Sequence, residues 1–135
     1  MLPHSLNWED TMTINEAINK IDALKPNNFH IEEKVGWLST LDHTVKKEMI
    51  DTHEGGEDIV FEGYTEDTDL DTELLAPAPY DEMYLRWLEA QIDYTNNEFG
   101  KYNNAITMFN TAYGAYFNYY NRTHMPKGKA RKYFS

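Results

Sequence analysis

The chain has 135 residues, enough for one domain with its own core. Apolar residues make up 41%, which excludes a disordered chain, and no apolar run has the length of a membrane span or the layout of a secretory signal. Without cysteine there is no disulfide scaffold and no thiolate zinc site, and a net charge of −11 argues against gripping DNA, whose affinity comes from Lys and Arg on phosphates.

The charge is uneven. Residues 125–135, MPKGKARKYFS, carry Lys127, Lys129, Arg131 and Lys132 and no acid, which leaves −15 on residues 1–124. An acidic body therefore ends in a short basic tail. At the other end, Met12 stands directly before a helix start. Trp8-Glu9-Asp10 can be encoded by a purine-rich run resembling a bacterial ribosome-binding site. Residues 1–11 are read either as translated leader or as a flexible arm.

Four helical segments follow in chain order. Thr13 with Glu16 makes a capping box, and Ile14, Ile18, Ile21 and Leu24 share one face until Pro26 stops the helix. The second segment spans about Ile31 to Ile50, with Ile31, Val35, Leu38, Val45 and Met49 as its stripe and Trp37 and Leu41 widening it. A long connection follows. Gly55-Gly56 predicts a turn, and Ile59–Tyr64 reads as a short strand able to form one arm of a hairpin. The acidic stretch TEDTDLDTE reads as an exposed loop, and LLAPAPY is extended by its prolines. Tyr80 opens the third helix, with Tyr84, Leu88, Ile92 and Phe99 as its stripe and Gly100 as its break. The fourth spans about Lys101 to Arg122, with a heptad-like seam of Tyr102, Ile106, Phe109, Tyr113, Tyr116 and Tyr120. The fold expected is mainly α: a bundle of about four helices with a long central loop.

The fourth helix carries more aromatic surface than one seam uses. Phe117 and Tyr119 lie off the seam, among neutral Asn103, Asn104, Asn110, Asn118 and Asn121. Polar-tipped aromatics interleaved with amides suit an interface that is part dry and part hydrogen-bonded. The same residues also suit a helix buried on most sides.

Motifs for catalysis are missing. Asp67, Asp69 and Asp71 alternate as in a calcium loop, but Thr72 stands where the turn needs Gly and Ala78 where a bidentate Glu is needed. The five histidines are scattered, with no HExxH, and there is no GxSxG or phosphate-binding glycine loop. The sequence points to no enzyme, no cofactor and no metal.

The third and fourth helices carry a resemblance. Pro79-Tyr80-Asp81, Tyr84, Ala90 to Tyr94, Tyr102-Asn103-Asn104 and Tyr120 to His124 follow a pattern similar to head–tail connector (adaptor) proteins of long-tailed bacteriophages and prophages. IDTHEGG from Ile50 and LLAP from Leu74 are similar to the same group, so the resemblance covers roughly residues 12–126. It implies a non-enzymatic helical subunit, made in the host cytoplasm and placed in the virion at the capsid–tail junction. About a dozen copies form a ring under the portal protein. The ring extends the DNA channel without binding DNA specifically, and it docks a downstream tail or stopper protein. The C-terminal segment of related connectors contacts the portal.

Tyr80, Asp81, Tyr84, Asn103, Asn104, Asn110, Phe117, Tyr119 and Arg122 are therefore the expected subunit or partner interface. Lys127, Lys129, Arg131, Lys132, Tyr133 and Phe134 are the expected portal-docking tail, the bland alternative being a solubilising end. Glu66, Asp67, Asp69, Asp71 and Glu73 are the expected acidic lumen or rim, where carboxylates repel passing phosphate. Two other readings remain open: an acidic DNA mimic that blocks a host nuclease or repressor, and a generic helical interaction module.

Overall fold

The computed structural model describes residues 11–128. Helix α1 (Ile14–Leu24) starts at the expected capping box: Thr13 Oγ1 accepts from Glu16 N at 3.1 Å, and Glu16 Oε1 accepts from Thr13 N at 2.9 Å. A second cap comes from the long loop. The carbonyls of Thr72 and Leu70 accept from Ile14 N and Asn15 N, both at 2.9 Å, pairing two N–H groups that a helix start leaves open. Ile14, Ala17, Ile18 and Ile21 are buried. Leu24, expected in the same stripe, is 71% exposed on the rim of a groove shared with Leu85 and Arg86.

Helix α2 (Ile31–Val45) runs into a wider π turn, Lys46–Ile50, where Asp51 N reaches back five residues to Lys46 O at 2.8 Å. The extra residue per turn rotates the chain, so that neighbouring Met49 and Ile50 are both buried. The Gly55-Gly56 turn follows as expected. Gly55 has φ +88°, and a Cβ on Gly56 would stand 2.1 Å from the Ile50 carbonyl oxygen, so neither position admits a larger residue without strain.

The expected strand at Ile59–Tyr64 does not form. Among the described residues the only β contacts are isolated bridges, Thr13 to Glu73 and His53 to Pro126. The segment packs on α2 instead. Phe61 meets His43 edge-on at 4.9 Å, Tyr64 N donates to Ser39 Oγ at 3.0 Å, and Gly63 at φ +94° bends the chain between them. A strand needs a partner strand, and none pairs with this segment among the described residues.

Helix α3 (Glu82–Thr95) begins two residues after Tyr80, which sits in the turn behind a cis Ala78–Pro79 bond. It packs on α1, α2 and α4 and is the hub of the bundle. Helix α4 (Phe99–Thr123) returns antiparallel to it, with ring contacts Tyr94–Tyr102 at 5.2 Å, Trp87–Phe109 at 5.1 Å and Tyr80–Tyr119 at 4.7 Å. The break between them is at Asn97, φ +61°, not at Gly100, which lies in the first turn of α4. Phe99 belongs to α4 and is half exposed rather than part of the α3 stripe.

A carboxylate sits at the centre of this core. Asp42 is fully buried on α2. Its Oδ2 accepts from Tyr64 OH at 2.6 Å and from Leu75 N at 3.1 Å, and its Oδ1 accepts from Tyr84 OH at 2.7 Å. Burial pushes its pKa up to about 6, while the two tyrosine hydroxyls, the Leu75 amide and His43 oppose the rise. The folded value lies above the unfolded 3.8, so the native state holds the proton longer. Asp42 therefore costs nothing below about pH 4, and its ionisation weakens the fold as pH rises towards 6, by about 3 kcal/mol at most. Asp42→Asn should remove that slope: denaturation curves from pH 4 to 7 should show wild-type stability falling relative to the variant. Parallel curves would refute the assignment.

Candidate subunit and partner interfaces

Helix α4 has 25 residues and α3 has 14, so α4 outruns its cover. Ala105, Phe109, Tyr116 and Tyr120 are buried, but Tyr102, Ile106 and Tyr113 of the expected seam are covered only in part. Tyr113 donates to Glu48 Oε1 at 3.0 Å, and burial raises its pKa.

The structure sorts the expected interface residues into separate places. Tyr80 stacks on Tyr119, with Tyr116 at 5.6 Å, making a half-buried tyrosine cluster at the start of α3. Phe117 lies apart from it, edge-on to Tyr113 at 6.2 Å. Asp81 is half-buried in a hollow with Thr13, Glu16 and Lys20; burial raises its pKa and Lys20 opposes the rise. Asn103, Asn104, Asn110 and Arg122 are exposed on α4. Tyr84 is not an interface residue. It is wholly buried, and its hydroxyl accepts from Ala76 N at 2.8 Å while donating to Asp42.

The outward side of α4 has one distinctive property. From Tyr102 to Asn121 no residue carries a formal charge, in a chain that is a quarter Asp, Glu, Lys and Arg. Asn104, Thr107, Thr111, Ala115 and Asn118 recur there at helical spacing, all exposed. Gly114 lies among them, and a Cβ placed on it would meet nothing within 4 Å. A mid-helix glycine costs about 1 kcal/mol relative to alanine, and no neighbour among the described residues requires it.

The C-terminal end of α4 is clasped by the segment after the π turn. His53 is buried, with Nδ1 2.6 Å from Met49 O and Nε2 2.7 Å from the Asn121 amide oxygen. Tyr120 meets His53 edge-on and stacks on His124 at 3.9 Å. Glu54 N donates to Met125 O and Lys127 N to Thr52 O, both at 2.8 Å. The IDTHEGG and YNRTH segments, remote in sequence, are thus one contact. Met125–Lys127, expected in the tail, belong to the folded body.

Of the expected tail residues, Lys127 is described: its Nζ lies 3.4 Å from Glu57 Oε1. Backbone hydrogen bonding and Lys127 hold the Glu57 carboxyl below its usual range. Lys129, Arg131, Lys132, Tyr133 and Phe134 lie outside the described residues. The acidic loop is ordered by local bonds. Asp71 N donates to Asp69 Oδ1 at 2.9 Å and Asp67 N to Thr65 Oγ1 at 3.2 Å, which turns Glu66, Asp67, Asp69, Asp71 and Glu73 out to solvent.

Among the described residues no three His, Asp or Glu side chains converge as a metal ion would need, and no helix is long and apolar enough to cross a membrane. No protein-family model, curated protein or solved structure matches the chain.

Removing the Tyr84 hydroxyl leaves Asp42 Oδ1 and Ala76 N without their partners. Tyr84→Phe should therefore destabilise by about 2–4 kcal/mol in chemical denaturation, and Asn110→Ala on the exposed side of α4 by less than about 0.5. Equal losses would contradict the division between core and surface.

Proposed function

We propose that the chain is a structural, non-enzymatic subunit that assembles with copies of itself into a ring, as a phage head–tail connector does. In that reading the ring of about a dozen copies joins the portal protein to a downstream tail or stopper protein. DNA passes through it without specific binding.

The observation that carries this reading is the uncharged outward side of α4. Subunits at −11 repel one another, and two of them can approach closely only across a surface that adds no further charge. Asparagine and threonine offer hydrogen bonds there without the desolvation cost of ions. Gly114 and Ala115 allow another backbone to come near. A ring also needs a second, different side surface, and the tyrosine cluster of Tyr80 and Tyr119 is suited to that part. The solvated loop Glu66–Glu73 then supplies the acidic lumen or rim. A DNA mimic would need its carboxylates along one continuous face, whereas the longest helix here presents none between Tyr102 and Asn121.

Gly114→Leu separates folding from assembly, because a Cβ at this position meets nothing within 4 Å in the lone subunit. It should leave the melting temperature at or above wild type and abolish self-association at high concentration, read by light scattering and electron microscopy. Rings formed equally well by the variant would remove α4 from the interface, and a wild type that stays single at every concentration, with and without portal protein, would end the connector reading.

A further inference from the structure

The segment after the glycine turn has unused bonding capacity. Among the described residues no hydrogen bond reaches the backbone of Val60, Phe61, Glu62 or Gly63. Val60 is 80% exposed and Glu62 is exposed, while Phe61 between them turns inward, which is the period of a strand. This is also the most β-prone sequence in the chain, and it stands without a ladder. An edge of this kind is a template for adding another strand.

Charge decides what can be added. From Glu54 to Glu73 the chain holds acids and no Lys or Arg, so a second copy of the same segment is repelled. The complementary segment is in the chain itself. Residues 129–135, KARKYFS, hold Lys129, Arg131 and Lys132 with no acid, and Tyr133 and Phe134 to cover Ile59 and Val60. Seven residues span about 23 Å in extended form, enough to lie along residues 59–63, which follow a 3₁₀ turn at Gly56–Asp58. A foretaste of the pairing exists where Lys127 meets Glu57. Glu54 pairs with Met125 and then Thr52 with Lys127, so from Met125 to Lys127 the backbone heads away from Val60, and it turns at Gly128, φ +68°.

We infer that residues 129–135 of one copy add as a strand along residues 59–63 of the neighbouring copy, with lysines and arginine on the acids in and beside that segment and the aromatics on its exposed Ile59 and Val60. This rests on the ring reading and names a second contact that holds neighbours together.

The full chain tests it. The tail reversal K129E/R131E/K132E and the edge reversal E57K/D58K/E62K should each weaken self-association at least about tenfold, and the two combined in one chain should restore it. A photoreactive benzoylphenylalanine at Phe134, in a mixture of isotope-labelled and unlabelled protein, should give crosslinks of mixed mass that map to residues 59–63. Association unchanged by either reversal, or crosslinks that map elsewhere or stay within one copy, would overturn the pairing and leave the ring standing on α4. A wild type that never associates would overturn both.

Discussion

The fold depends on one buried acid. Asp42 stands on the inner face of α2 and gathers three donors, from Tyr64, Leu75 and Tyr84. Two of them belong to the long connection and the third to α3. A fully buried carboxylate without donors would be prohibitively expensive, so the loop cannot leave Asp42 without a large penalty. The same hydroxyl of Tyr84 also accepts from Ala76 N, which fixes the loop a second time just before the turn into α3. With Leu70, Thr72 and Leu74 bonded to the start of α1, more than twenty residues without regular structure become part of the body. The chain gives up some stability as Asp42 ionises, and in return it specifies one path for its least regular segment.

A second polar anchor does the same for the other end. His53 lies under Tyr120 and bonds Met49 and Asn121, so the π turn, the glycine turn and the end of α4 move as one unit. This places the outward side of α4, the solvated loop and the start of the basic segment on one rigid frame. Assembly through such surfaces loses little conformational freedom, because the frame is already ordered.

The helices were legible because their signals are local. The capping box at Thr13 and Glu16 and the stripe of Val35, Leu38, Leu41 and Val45 need only a few neighbouring residues to be read. The strand at Ile59 was misread for the same reason: propensity is local, and the missing partner strand is not. Tyr84 stood both in the α3 stripe and among the interface candidates; the stripe reading holds, because helical spacing reports depth and a motif position does not. Asp42 could have been found, four residues after Leu38 and three before Val45, where an acid on a buried face demands donors. Nothing in the sequence announces that Leu75 N, Tyr64 and Tyr84 supply them, because those contacts cross more than twenty residues. The split of the expected interface into a tyrosine cluster, Phe117 on Tyr113 and a neutral amide face likewise comes from the different lengths of α3 and α4.

Charge placement, more than hydrophobic excess, argues for assembly. Much of the aromatic surface of α4 is absorbed by the subunit itself: Phe109 on Trp87, Tyr119 on Tyr80, Tyr120 on His53 and His124. The greasy remainder is modest and scattered, and a lone subunit can keep it wet. What a lone subunit has no use for is a long helix side held at zero charge while the rest of the surface is strongly negative. Solubility would be served by lysine or glutamate at Asn104, Thr107, Thr111 or Asn118, and helix propensity would be better served there too. In the proposed ring a dozen copies would carry roughly −130, so any acid at the contact would add repulsion to every interface. In the proposed ring, neutral amides and hydroxyls at that side would keep the repulsion at the lumen and rim and out of the seams.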